Sequence, residues 1–240
     1  MAKTYIGTSG WDYQHWMEAF YPSGTDREEF LTCYAERFGT VEINATFYRL
    51  PSEQTMASWR DAVPDEFVFT VKASRYLTHM KKLKDPEDPL EKVLQRARIL
   101  QRKLGPVLFQ LPPNWRFDEE RLAAFLELLP DDLRAVLEFR DERWFSDRAF
   151  ELLRQANAAL CMHDLGGKAT PRVVTADFAF IRLHGPGEAY RGSYDEHDLS
   201  GWAGAISSWT RQGKDVYCYF NNDEAGNAPK NALVLERMLE

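Results

Sequence analysis

Cysteine is scarce in this 240-residue chain, which holds only Cys33, Cys161 and Cys218. An odd number with no CxxC spacing speaks against a disulfide framework and a thiolate zinc site. Cys161 and Cys218 fall inside apolar runs, where a thiol behaves as a small hydrophobe. No stretch reaches the ~18 consecutive apolar residues of a membrane span. The opening MAKTYIGTSGW enters an apolar segment too early for a secretory leader, so the expected compartment is the cytoplasm, with no membrane partner. Glycine-rich phosphate loops are missing too. GTSGW matches neither GxGxxG nor GxxxxGK[ST], which weakens a dinucleotide-binding reading, and it lacks the GxSxG elbow, so Ser9 reads as a ligand or backbone contact rather than a nucleophile. An excess of positive charge is absent as well. The net charge of −7 gives no global attraction to nucleic acid or anionic lipid, so any anion site has to be local.

What the chain has is eight short apolar runs, nearly all ending in polar or ionisable residues. They are Thr4–Ser9, Val41–Asn44, Phe67–Lys72, Val107–Leu111, Ala135–Arg140, Ala159–Asp164, Ala179–His184 and Val216–Asn222. Amphipathic stretches at helical period separate most of them. Thr25 and Asp26 suit the cap of a helix through Phe38, Ser52 opens another, and Pro89–Lys103 forms a third that Gly105-Pro106 should stop. Asp118–Leu129, Ser146–Asn157, Leu199–Gln212 and Asn227–Leu239 supply four more. Only Leu165–Asp177, with its breaker-rich GGKATPR, lacks a helical pattern, so a degenerate sixth helix or a loop is expected there. Eight alternations in 240 residues predict an α/β fold, a single (β/α)8 TIM-type barrel over residues 1–240, with its working face at the C-terminal strand ends.

Side chains two apart on a strand share a face. Glu42 and Asn44, Glu138 and Arg140, and Arg182 and His184 therefore form three pairs aimed at the barrel axis or mouth. Lys72 joins them beside Thr70, and Gln110, His163, Asn221 and Asn222 reach the same level. Two carboxylates and three cations in one pocket have to pair with each other or serve a ligand. His184 is the expected acid/base group because it shares a face with Arg182 and an imidazole titrates near neutrality. His163 and Asp164 are adjacent and so point opposite ways.

Glu42, Glu138, His163, Asp164 and His184 are donors that zinc or manganese accepts, but no HExxH or CxxC spacing organises them and nearby cations compete. No cofactor is assigned, and a divalent metal is the minor reading. Aromatic and arginine residues interleave around the same rim: Trp11, Tyr13, Tyr48, Trp115, Trp144 and Tyr190 with Arg49, Arg75, Arg116, Arg143 and Arg191. They suit either packing of long loops or a stacking surface for bases or sugar rings.

The segments IGTSGWDYQHW, VEINATFYRLPS, FVFTVKASRYLTH, LGPVLFQLPP, LEFRDERWF, FIRLHG and YCYFNNDEAGNAPKNAL resemble, in order from about Tyr5 to Leu235, the signature segments of the YecE-like family, the domain of unknown function 72. The resemblance implies a TIM-type barrel and supplies no reaction. It marks Glu42, Asn44, Lys72, His79, Gln110, Glu138, Arg140, Arg182, His184, Asn221 and Asn222 as positions that match the family's motifs. Where the family commonly shows a histidine after Glu-x-Arg, this chain has Asp141. By fold analogy, the comparison of such barrels with endonuclease IV and sugar isomerases points to phosphodiester or sugar chemistry.

The leading expectation is an enzyme, a hydrolase, lyase or isomerase, that binds a small anionic ligand of the phosphorylated-sugar or nucleotide-like kind. Lys72, Arg140 and Arg182 would hold the anion, with Asn44, His79, Gln110, Asn221 and Asn222 as further substrate contacts. Glu42, Glu138 and His184 would move protons. The alternatives are a protein that binds nucleic acid or processes phosphodiesters, and a non-enzymatic ligand sensor or scaffold.

Overall fold

A computed structural model describes residues 2–240. Eight parallel strands alternate with helices: β1 Thr4–Thr8, β2 Thr40–Ile43, β3 Val68–Lys72, β4 Leu104–Gln110, β5 Ala135–Glu138, β6 Ala159–Leu165, β8 Phe178–Leu183 and β9 Asp215–Phe220. A two-residue β7, Lys168–Ala169, folds back antiparallel on β6. The hydrogen-bonded order runs β1-β9-β8-β6-β5-β4-β3-β2, which is an α/β barrel of TIM type.

Closure depends on the β1–β2 seam, where the ladder is reduced to one parallel bridge between Ser9 and Glu42. Below that bridge the Tyr34 hydroxyl completes the seam: it accepts from the Thr8 amide at 2.9 Å and donates to the Thr40 carbonyl at 3.0 Å. The chains can approach so closely only because residue 7 is glycine. A Cβ there would lie 2.3 Å from the Thr40 carbonyl oxygen and 2.9 Å from the Tyr34 hydroxyl.

The helices outside the strands are α1 Phe30–Ala35, α2 Ala45–Tyr48, α3 Glu53–Asp61, α4 Glu87–Arg98, α5 Glu119–Glu127, α6 Asp147–Gln155, α7 Glu196–Arg211 and α8 Asn227–Arg237. Four of them start where a short polar side chain takes the free amide three residues on: Ser52 to Thr55, Asp118 to Arg121, Ser146 to Ala149 and Asp195 to Asp198. The first helix is shorter than the periodicity implies. Residues Arg27–Glu29 form a 3-10 turn ahead of α1, and Asp26 makes no side-chain cap. Gly105 and Pro106 do not stop a helix but lie in β4 itself, after α4 has ended at Arg98 and a further 3-10 turn has intervened. The connection from β6 to β8 holds no helix: β7 and extended backbone return the chain along the barrel. No helix among the described residues is long and apolar enough to cross a membrane.

Burial divides by strand parity. Leu108, Val136, Ala159, Cys161, Phe180, Tyr217 and Tyr219 form an inner cluster, while the alternate residues Val41, Val71, Phe109, Leu137, Ile181 and Cys218 join the larger core between strands and helices. The inner cluster fills the lumen from below. Its uppermost polar layer is the Tyr219 hydroxyl with the Thr40 and Thr70 hydroxyls at 2.7 and 2.8 Å.

Candidate functional site

Two residues beyond Thr40 and Thr70, on the same faces, come Glu42 and Lys72, and two beyond Phe180 comes Arg182. Ser9, Gln110, Glu138 and His163 complete this layer from β1, β4, β5 and β6. Asn44, Arg140, His184 and Asn221 stand one layer higher, as the parity of the strands requires.

Arg182 ties the layer together. Fully buried, it donates from Nη1 to Glu138 Oε2 at 2.8 Å and from Nη2 to Glu42 Oε1 at 2.6 Å, so one guanidinium spans the lumen from β8 to both β5 and β2. The Ser9 hydroxyl lies between them, donating to Glu42 Oε1 at 2.9 Å and accepting from Arg182 at 3.3 Å. Glu138 has partners on both oxygens. Gln110 donates to its Oε1 at 2.9 Å, and the Arg140 guanidinium forms a very close ion pair with the same oxygen. Burial pushes the Glu138 carboxyl upward, but the Arg140 and Arg182 guanidinium groups outweigh it and hold the group well below the usual carboxylate range. Glu138 is thus a fixed anion with both oxygens engaged by cationic or amide donors. The expectation that it shuttles protons conflicts with this geometry.

His184 departs from expectation in the same direction. Burial and then the Arg182 charge hold the imidazole well below its ordinary value, so it does not titrate near neutrality. Arg140 Nη2 donates to Nε2 at 3.0 Å, with Arg182 Nη1 at 3.5 Å. A nitrogen that faces guanidinium groups has to be the acceptor, which places the single proton on Nδ1. Asn221 Nδ2 lies 3.0 Å from Nδ1, and exchanging the amide's nitrogen and oxygen lets the oxygen accept that proton. His184 orients Arg140 and Asn221. His163, on β6, packs edge-on against it with ring centroids 6.0 Å apart and is held neutral by burial, its value lowered to about 4.

Lys72 is different. Its residue is 9% exposed, yet among the described residues no carboxylate lies within 4 Å of Nζ and no hydrogen bond satisfies it; the ammonium sits over the Phe47 ring, 4.2 Å from the centroid. Burial, and then the Arg182 charge, lower it to about 8, against the opposing pull of Glu138 and Glu42. His79 packs edge-on against the same Phe47 ring at 5.0 Å and is lowered to about 4 by burial and by Lys72.

Several buried polar atoms of these two layers have no partner: Glu42 Oε2, Asn44 Oδ1, His163 Nδ1 and Arg182 Nε. Such atoms are costly unless something binds them. Two cavities flank the mouth. One of about 500 Å³, lined by Trp11, Tyr13, Trp59 and Asn44, lies beside β1 and β2; the other, of about 560 Å³, is lined by Arg140, His163, Lys168 and Thr170 beside β5 and β6. Among the described residues no three His, Cys, Asp or Glu side chains gather as a metal site.

Asn222 does not join the mouth. Its amide donates to the Gly192 carbonyl at 2.8 Å and to Asn231 Oδ1 at 2.9 Å, anchoring the loop after β8 from the outer side. The opposite parity of Asn221 and Asn222 already required that one of them face away. Rim arginines are also engaged: Arg27 with Asp12, Arg143 with Asp141, and Arg191 with Glu188. Asp141, in place of the imidazole the family resemblance leads one to expect, serves Arg143 and caps the following 3-10 turn. Ser9, read from sequence as a ligand or backbone contact, and His163, read as reaching the strand-end level, both join the network, and strand parity was the available signal.

A family described as protein of unknown function DUF72 matches residues 5–240. The UPF0759 protein YunF of Bacillus subtilis is 27% identical, with 98% of this chain and 94% of that protein covered. YecE of Escherichia coli is 30% identical over 59% of this chain and 50% of its own length. Among solved structures, a DUF72 family protein of Thermotoga maritima superposes with a TM-score of 0.90 at 29% identity, covering 99% of each chain. A D-psicose 3-epimerase of Clostridium cellulolyticum, at 11% identity and a TM-score of 0.58 over 99% and 95% of the two chains, shares the barrel alone.

Proposed function

The chain belongs to the DUF72 family, and we propose that it is a cytoplasmic enzyme that binds a small anionic, hydroxyl-rich ligand at the C-terminal strand ends and moves a proton on it. The observation that carries this reading is the set of orphaned polar atoms in two adjacent layers of one lumen, Glu42 Oε2, Asn44 Oδ1, His163 Nδ1 and Arg182 Nε, beside an ammonium with no partner among the described residues. A purely structural ion-pair network would satisfy its own members. Here Lys72, Arg140 and Arg182 face Glu42 and Glu138, and the two imidazoles are neutral, so one positive charge stays uncompensated. That surplus favours an anion. Three unpaired thiols suit a reducing compartment.

The roles divide by what each group has left to offer. Lys72 and the outer edge of Arg140 meet the anion, and Asn44, Asn221 and His163 orient hydroxyl groups. Glu42 is the base, since Ser9 and Arg182 hold one of its oxygens and leave the other free. Glu138 and His184 fix the cations. Thermal-shift titration with inorganic phosphate and with ribose 5-phosphate tests the site, and native mass spectrometry of freshly purified protein tests it independently. Stabilisation that is weakened by Lys72→Met, or a co-purified phosphorylated metabolite, is expected. No shift at millimolar ligand and no bound species overturns the reading.

A second reading has one observation behind it. Tyr48 and Tyr76 are exposed, beside Arg49 and Arg75, which form no ion pair, on the β2 and β3 side of the mouth. Such a surface stacks bases and contacts phosphates. Single-stranded oligonucleotide binding, followed by anisotropy, would then fall steeply as salt rises. Binding that is absent, or indifferent to salt, removes this alternative.

A further inference from the structure

Among the described residues two lysines are deeply buried, and they are treated in opposite ways. Lys103 is 6% exposed and commits its ammonium to the Arg60 carbonyl at 2.8 Å and the Val63 carbonyl at 2.6 Å, with Asp65 at 3.8 Å. Lys72 is 9% exposed and has neither a carbonyl nor a carboxylate. Both carboxylates in its layer are already held by Arg182, and Glu138 by Arg140 too. A protein that needed only a buried cation would satisfy it as Lys103 is satisfied. What is left at Lys72 is an amine that is largely desolvated over an aromatic ring, under the field of guanidinium groups and without a hydrogen-bond partner among the described residues. Those conditions raise the unprotonated, nucleophilic fraction of an amine above that of an exposed lysine.

We propose that Lys72 is an imine-forming nucleophile toward a small aldehyde or ketone held at the barrel mouth. The neutral amine attacks the carbonyl carbon; the C–N bond forms, the carbonyl oxygen takes a proton, and a carbinolamine results. Loss of that oxygen as water breaks the C–O bond and leaves a protonated imine, so amine and carbonyl are converted to imine and water with no redox partner. The iminium then withdraws electrons from the neighbouring carbon, and the unpartnered Glu42 Oε2 is the group in this layer free to take its proton. The proton that the departing oxygen needs comes from solvent, because His79, beside Phe47, is held neutral.

The groups that face Lys72 set its pH behaviour: Arg182 from β8 and Arg140 after β5 favour the neutral amine, while Glu42 from β2 and Glu138 from β5 oppose them. The largest influence, burial, favours the neutral form as well, and lowers the amine to about 8. This proposal deepens the reading above, because it rests on the mouth being the ligand site.

The test is reductive trapping on the full-length protein. Formaldehyde with cyanoborohydride at pH 7.5 is small enough to enter the mouth, and peptide mapping reports the rate at each lysine. Lys72 is expected to react at least about tenfold faster than the mean exposed lysine, because far more of it is unprotonated at that pH. Reaction slower than that mean overturns the proposal. Dihydroxyacetone phosphate with borohydride then tests a ligand-sized ketone. The expected result is one mass increment, confined to the Lys72 peptide and lost in Lys72→Arg, which keeps the charge. An increment that survives in Lys72→Arg also overturns it. If phosphate or ribose 5-phosphate stabilises the protein but Lys72 is not selectively trapped, the imine fails and the anion site stands. If neither occurs, both fail.

Discussion

Replacing Arg182 with methionine would remove the group on which the whole strand-end layer depends. The side chain is 0% exposed and donates two short bonds to two carboxylates that are themselves 0% exposed, plus a longer one to Ser9. Methionine fills a similar volume, so cavity formation is a minor part of the effect, and the loss is dominated by two carboxylates left buried. Glu138 keeps Arg140, but Glu42 keeps only the Ser9 hydroxyl. Removing one partner of a buried pair typically destabilises by about 3–5 kcal/mol. Unfolding entropy of about 2.1 cal/mol/K per residue over this length gives roughly 0.5 kcal/mol/K, so the melting temperature should fall by about 6–10 °C. Urea denaturation and calorimetry at pH 7 measure both. The pH profile supplies a second readout. Glu138 is lowered in the folded state, so its stabilisation is present above its ordinary value of about 4.5 and is lost as pH falls through the lowered one. Without Arg182 the lowering is smaller, so the Glu138 contribution lost by the variant as pH falls below about 4.5 should be smaller than in the wild type. Adding Glu42→Gln to Arg182→Met should restore part of the stability by removing the orphaned charge. A loss below about 1 kcal/mol, or no recovery in the double variant, would refute the argument that this network is buried and charge-coupled.

Three further outcomes follow from the same geometry. Lys72→Met should stabilise the protein at pH 7 by about 1–3 kcal/mol, because an amine lowered from 10.5 to about 8 destabilises the fold while it is protonated in the unfolded chain. The folded state binds fewer protons between those values, so wild-type stability rises with pH there and the gap should close by about pH 10.5; a variant less stable than wild type at pH 7 contradicts this. Gly7→Ala should cost about 1–3 kcal/mol in urea unfolding, since its Cβ would force β1 from β2 at the barrel seam; an unchanged midpoint would show that the seam is loose. In nitrogen-detected NMR, His184 should remain a neutral Nδ1–H tautomer from pH 8 to pH 5, and a titration with a midpoint between 6 and 7 would disprove the Arg140 contact that sets it.

The count and order of the strands, the face on which polar residues gather and the membership of the lumen were legible in the linear sequence. Each follows from a period of two along a strand and from short caps before helices, which are local properties. Ser52, Asp118 and Ser146 act where their types and positions imply. Local reasoning fails where chain segments meet. Nothing near residue 34 announces that its hydroxyl replaces a ladder between β1 and β2, and the glycine at residue 7 looks like any strand glycine until Thr40 is placed beside it. The same limit governs the site. Parity brings Glu42, Lys72, Glu138, Arg140, Arg182 and His184 to one mouth, but it treats all of them as equally available. Only the tertiary structure decides who is paired. Arg182 and Glu138 are consumed by each other, His184 is locked neutral between guanidinium and amide, and Asn222 is turned outward to a loop. Lys72 and one oxygen of Glu42 are left free. Charge pairing depends on distances between side chains from different strands, and those distances exist only once the barrel has closed.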